Sequence, residues 1–139
     1  MLKKTVKYTG FDGEEHTEDI YMNFTRVEVL KFLVRHGISM KKGDDVTQEF
    51  KDMVAHLSES GDVEAMLNFL DDFVLSAYGV RSEDGKRFIK TKEVREKFSE
   101  SLAYEALFDS ILDDPALAKT LGESLLNTPG SKPTILPLV

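Results

Sequence analysis

Apolar and polar residues alternate in the first 25 residues of the chain. Val6 and Tyr8 alternate with lysine and threonine, and Ile20, Met22 and Phe24 alternate with polar partners. A period of two predicts strands with one buried face. The turn residues between the two runs, in the letters DGEE, favour a β-hairpin. Because a lone hairpin is marginally stable in water, helices or another subunit must cover it.

The spacing of apolar residues becomes helical after Phe24. Residues 25–28, TRVE, match a capping box, which predicts a helix to about Arg35 that stops at Gly37. A second helix is predicted over about residues 47–57, after the loop SMKKGDDV. Gly61 and Asp62 then end this helix and cap the next one.

Residues 63–78 have the clearest helical periodicity in the chain. Their apolar residues recur at i, i+3, i+4 and i+7, which predicts a continuous buried stripe that Gly79 ends. Phe69 and Leu75 lie off this stripe. We therefore predict a central helix, or one that also meets a partner, with Phe69 and Leu75 as possible contacts to a client protein.

The remainder of the chain also reads as helical. Thr91 caps a helix to about Phe98, Ser101 caps the next, and Asp114 followed by proline opens a last one. Residues 127–139 contain three prolines and predict an extended tail. The predicted fold is mainly α within the α+β class. A single domain, residues 1–126, has an N-terminal β-hairpin (1–25) followed by a bundle of five to six helices (26–126).

Composition narrows the possible partners. The 139-residue chain has a net charge of −7, so we expect no nucleic-acid partner, and no apolar stretch has the length of a membrane span. Cysteine is absent, which excludes disulfides and thiolate chemistry. The N-terminus has no apolar run of signal-peptide length, so we expect a cytosolic protein.

The stretch YGVRSEDGKRFIK, residues 78–90, looks most like a ligand-binding loop. Gly79 and Gly85 have five residues between them instead of the four of a phosphate-binding loop, and Arg87 stands where that loop needs a hydroxyl. With Gly85 at the sixth position of a calcium loop, Val80 and Thr91 would be its terminal ligands. Neither carries a carboxylate, so the spacing favours a polar turn. Within it, Arg87 is predicted to pair with Asp84 or Glu93.

Other arrangements of reactive side chains are equally weak. The three histidines stand twenty residues apart, and the serines form no nucleophile elbow. Adjacent aspartate pairs point in different directions on a helix, which argues against acid–base catalysis by them. We therefore predict no catalytic, cofactor-binding or metal-binding residue, and a protein that binds other proteins.

In the block from Ser76 to Leu126, a predicted helix ends in YG, followed by S-x-D-G-x-R-F-x-K and then F-x-x-x-x-A-Y-x-x-L-F. With these motifs the block resembles the tail assembly chaperones of long-tailed bacteriophages. The N-terminal turn FDGE and the strand after it are similar as well. The residues that carry the resemblance here are Tyr78, Gly79, Ser82, Asp84, Gly85, Arg87, Phe88, Lys90, Phe98, Ala103, Tyr104, Leu107 and Phe108.

The resemblance implies a non-enzymatic role in the cytoplasm of the infected host. Such chaperones coat the aggregation-prone tape measure protein before tube subunits polymerise around it, and are absent from the finished virion. A longer, frameshifted form recruits the tail tube protein in many phages, and self-association is possible. The alternatives are a general α-helical adaptor or regulator in virion assembly, and an unrecognised small enzyme.

Overall fold

The computed structural model describes residues 1–39, 41, 43–114, 116, 120, 122 and 134–135. They fold into an α+β domain, as the sequence predicts. In chain order the elements are β1 (Leu2–Thr9), β2 (Glu15–Met22), α1 (Arg26–Arg35), α2 (Val46–Ser60), α3 (Val63–Ala77), β3 (Tyr78–Arg81), β4 (Phe88–Ile89), α4 (Lys92–Ser99), α5 (Leu102–Asp113) and β5 (Thr134–Ile135).

The strands form one sheet in the order β4–β3–β2–β1–β5. β1 and β2 are the predicted hairpin, with Leu2 opposite Met22 and Thr9 opposite Glu15. β3 adds antiparallel to the end of β2, and β4 adds antiparallel to β3. β5 pairs in parallel with the start of β1. The N-terminal hairpin is thus the middle of a larger sheet.

The period-two pattern of the hairpin is confirmed by burial. Leu2 and Val6 on β1 are buried on the face that α5 covers, as is Lys4 between them. Ile20 and Met22 on β2 are buried as well. The burial of Lys4 was not predicted, because Leu2 and Val6 on either side of it determine which face of the strand it occupies, and its own polarity does not.

The predicted helix boundaries agree with the structure where a polar cap marks them. Thr25 and Glu28 form the reciprocal capping box before α1. Gly61 has a φ of 70° at the end of α2, a left-handed conformation that glycine adopts without strain. The side chains of Asp62, Thr91 and Ser101 each accept the expected backbone hydrogen bond. α2 extends three residues beyond its predicted end.

Phenylalanine rings form the centre of the core. Phe32 of α1 lies with its ring centroid 5.3 Å from Phe69, 5.8 Å from Phe24, 6.0 Å from Phe73 and 6.4 Å from Phe50. All five rings are buried. The rings join the end of the hairpin to α1, α2 and α3, so the sheet and the helices share one core.

One prediction for the second half of the chain needs correction, and others concern residues that lie mostly outside those that the structure describes. The polar turn predicted over residues 82–85 is present, but it joins the strands Tyr78–Arg81 and Phe88–Ile89, which the sequence did not predict. The predicted helix after Asp114 lies mostly outside the described residues, although the Asp114 carboxylate accepts the Ala116 amide at 3.1 Å. Most of the predicted tail also lies outside them, and Thr134–Ile135 are the strand β5.

We predict that Phe32→Ala lowers the free energy of unfolding by about 3–5 kcal/mol, since it removes a ring buried among four others. Phe11→Ala is the matched control, because Phe11 is 86% exposed, and we expect a change within about 0.5 kcal/mol. Urea unfolding of both variants measures the difference. Equal losses would mean that the rings do not form the core described above.

Candidate functional site

The turn between β3 and β4 is closed by its own side chains. The Asp84 carboxylate accepts hydrogen bonds from the Ser82 hydroxyl at 2.6 Å and the Lys86 amide at 3.0 Å, which hold the pKa of Asp84 below its ordinary value. The Ser82 amide donates to the Arg87 carbonyl at 2.9 Å, and Gly85 has a φ of 72°. These groups are used within the turn, which explains the motif residues Asp84 and Gly85 without a bound phosphate or metal.

Gly79 marks where two elements meet too closely for a side chain. α3 ends at Ala77, and Tyr78 already has an extended backbone. A Cβ on Gly79 would lie 2.5 Å from the ring of Phe88. Glycine at this position therefore allows the Phe88 ring on β4 to lie across β3.

The aromatic residues of the motif form a connected row. The rings of Tyr78 and Phe98 stack with centroids 3.7 Å apart and planes 4° apart. Tyr104 meets Phe98 edge to face at 5.5 Å and meets Phe108 at 5.6 Å. Burial and a hydrogen bond donated to Asp71 raise the pKa of Tyr104. The row joins β3, α4, α5 and α3.

Lys90, directly after β4, is hydrogen-bonded to three other segments of the chain. Its ammonium donates to the Asn23 carbonyl at 2.5 Å, the Ser76 carbonyl at 2.9 Å and the Glu28 carboxylate at 2.8 Å. Only 12% of its side chain is exposed. Burial lowers the pKa of Lys90, while the Glu28 carboxylate opposes this shift. One side chain thus joins the end of β2, the start of α1 and the end of α3.

The predicted ion pairs of Arg87 do not form. The Asp84 carboxylate is bound by Ser82 and Lys86, and Glu93 lies 3.4 Å from Lys97 on α4. Among the described residues, the Arg87 side chain forms no ion pair with Asp84 or with Glu93. Its backbone amide instead donates to the Ser82 hydroxyl at 3.0 Å.

The two residues predicted to contact a client are both at least partly buried. Phe69 is only 4% exposed and packs against Phe32 and Phe73. Its role as a client contact stays a prediction. An α-helix that is covered on two sides buries residues off its main stripe as well. Leu75 is half-buried against the core. A client-binding role for Leu75 stays a prediction.

The strongest cluster of ionisable groups surrounds Asp72. Its carboxylate accepts from Arg35 at 2.9 Å, His36 at 2.5 Å and Ser76 at 3.0 Å. Burial acts to raise the pKa of Asp72, but these hydrogen bonds outweigh it and hold the pKa below its ordinary value. The carboxylate lies between imidazole and hydroxyl, whereas a nucleophilic triad needs the imidazole in the middle. The neighbouring Asp71 faces Tyr104, so the two carboxylates do not act together.

Comparison with known families identifies the chain. The family model described as phage tail assembly chaperone matches residues 1–126. The chain belongs to this family. Neither the curated proteins nor the solved structures contain a match. Membership of the phage tail assembly chaperone family confirms the resemblance drawn from residues 78–108 and indicates a non-enzymatic role with tail proteins.

Two further observations fit within this family assignment. No helix that the structure describes is long and apolar enough to cross a membrane. In the same part of the chain, no group of three or more metal-ligating side chains comes together.

Sequence reasoning named Lys90 only as part of the family motif and gave it no role. Its three acceptors come from residues 23, 28 and 76, which are far apart along the chain. Of the three residues that accept from Lys90, only Glu28 carries a negative charge, so it is the only one whose residue type indicates a partner for a lysine. Two of the three partners are backbone carbonyls, however, and these carry no sequence pattern.

We predict that Glu28→Gln costs about 1–2 kcal/mol at neutral pH, because glutamine keeps the capping box but loses the charge facing Lys90. Burial acts to raise the pKa of Glu28, yet the hydrogen bonds from Lys90 and Thr25 hold it below 4.5. A depressed carboxyl pKa stabilises the fold above the unfolded pKa. The difference between the two proteins is therefore full above about pH 5.5 and shrinks as the pH falls below 4.5.

Urea unfolding between pH 3 and 7 measures this pH dependence. The expected loss in the free energy of unfolding at neutral pH is about 1–2 kcal/mol. Glu96→Gln is the control, since its pair with Lys92 is exposed and should contribute less than about 0.5 kcal/mol. A Glu28→Gln deficit that stays constant across this range would contradict the assigned ion pair.

Proposed function

We propose that this tail assembly chaperone binds the tape measure protein in the host cytoplasm and keeps it soluble until tail tube subunits polymerise around it. The family match over residues 1–126 carries the proposal. On this proposal the chaperone leaves before the virion is complete. A longer form that recruits the tube protein, and self-association along the client, belong to the same proposal.

The surface of the domain supports binding to a long helical client. An amphipathic helix with no partner exposes an apolar face to water, and a helical domain can cover that face with a groove. Val63, Leu67 and Leu112 are exposed apolar side chains on α3 and α5. Many copies along one client would make weak individual contacts sufficient, and weak contacts let tube subunits displace them.

Co-expression with the tape measure protein tests the proposal. We expect most of the tape measure protein in the soluble fraction when the chaperone is present, and in the pellet when it is absent, because its apolar face is then uncovered. An unrelated acidic helical domain at equal expression is the control for charge and crowding. A tape measure protein that pellets equally with both would refute the proposal, and would leave the adaptor role as the better interpretation.

A further inference from the structure

An apolar groove lies where α2, α3 and α5 meet, near the loop that joins α2 to α3. It encloses about 40 Å³, far below the size of a small-molecule pocket, so it accommodates single side chains. Most of its lining is aliphatic, and of the lining residues Ser58 on α2 and Leu112 on α5 are exposed. The residues that line this groove are Val54, Leu57, Ser58, Met66, Phe69, Leu70, Ile111 and Leu112.

The groove continues into an exposed apolar strip. Leu112 is 40% exposed at its edge. Val63 lies one helical turn before Met66 and is 68% exposed, and Leu67 on the next turn is 36% exposed. Apolar side chains that line up along a helix in this way match the side chains that a second helix presents at i, i+3 and i+4.

The two chain segments that supply the lining of the groove are acidic. No lysine or arginine occurs in residues 52–80, which contain six acidic residues, or in residues 98–118, which contain five. These two segments hold the whole of α3, the whole of α5 and the C-terminal half of α2. The whole chain has a net charge of −7, so the remainder of the chain is net basic. The acidity of the protein is concentrated on the helices that form the groove.

The helix ends at the groove increase this negative potential. α2 and α5 both end near it, and neither has a basic residue in its last turn. The carbonyl end of a helix carries partial negative charge, which cations stabilise and carboxylates oppose. α5 nevertheless ends in Asp113 and is followed by Asp114. A cation supplied by a partner would offset this unfavourable arrangement.

We propose that the groove binds an amphipathic helix whose polar face carries lysine or arginine. The apolar side chains of that helix contact Leu57, Met66 and Leu112, and its cations face Asp113 and the carbonyl ends of α2 and α5. The assignment of that helix to the client protein rests on the proposed function. The preference of the groove for a basic amphipathic helix does not depend on that function. The proposal thus assigns client binding to a groove that Phe69, one of the two predicted client contacts, helps to line.

A designed peptide tests the chemistry directly. It has about 18 residues, five helical turns, with leucine on one face and lysine on the other. A scrambled isomer has the same charge and no apolar face. Fluorescence anisotropy at physiological ionic strength should show the amphipathic peptide binding at least about tenfold more tightly than the isomer, since only the former fills the groove.

Variants of the full chain locate the contact. Leu112→Gln should weaken binding by about tenfold, and Asp113→Asn should weaken it by about threefold in a salt-dependent manner. The matched controls are Val34→Gln, which changes a 59% exposed residue on α1, and Glu83→Gln in the turn. Both controls should bind like the wild type. Val63→Gln carries the same test if Leu112→Gln does not fold.

Several outcomes would overturn the proposal. Unchanged binding by Leu112→Gln and Val63→Gln would exclude the groove, as would equal binding of the scrambled isomer. A wild-type dimer that Leu112→Gln dissociates would make a second copy the occupant. A larger loss of melting temperature in Val63→Gln than in Val34→Gln would mean that the chain's own residues cover the strip.

Co-expression separates this inference from the proposed function. If the wild type and Leu112→Gln solubilise the tape measure protein equally, the function stands and the groove is not its client site. If the wild type does not solubilise it, the proposed function fails, and the peptide measurements still decide whether the groove binds basic amphipathic helices.

Discussion

The ammonium of Lys90 is the constraint on which the arrangement of this domain depends. The charge on a side chain that is only 12% exposed needs acceptors in place of water, and here they are the Asn23 carbonyl, the Ser76 carbonyl and the Glu28 carboxylate. The end of β2, the end of α3 and the start of α1 must therefore converge on the end of β4. The pairing of β3 with β2, and of β4 with β3, follows from this convergence.

The residues of the family motif make contacts within the domain itself. Gly79 makes room for the Phe88 ring, Tyr78 stacks on Phe98, and the turn binds its own polar groups. These contacts stabilise the hairpin and position α4 and α5. We propose that the motif serves the fold of this tail assembly chaperone, and that α2, α3 and α5 supply the surface that meets other proteins.

Features that depend on neighbouring residues could be predicted from the sequence. The capping box at Thr25 and Glu28, the glycine stop at Gly61 and the alternation in the first hairpin involve contacts across a few residues, so their patterns are local. Contacts between distant segments could not be predicted. Tyr78–Arg81 is a strand because β2 offers it an edge, and Phe69 is buried because α1 and α2 cover it. Neither cause appears in the local pattern of residues.

Hydrogen–deuterium exchange on the tape measure complex tests most directly whether the motif serves the fold and the helices serve binding. Compared with the free chaperone, the account predicts slower exchange in residues 54–67 and 109–114, where the groove lies. It predicts unchanged exchange in residues 78–90, where the amide groups are already bonded within the hairpin. Slower exchange in residues 78–90 together with no change around the groove would contradict it.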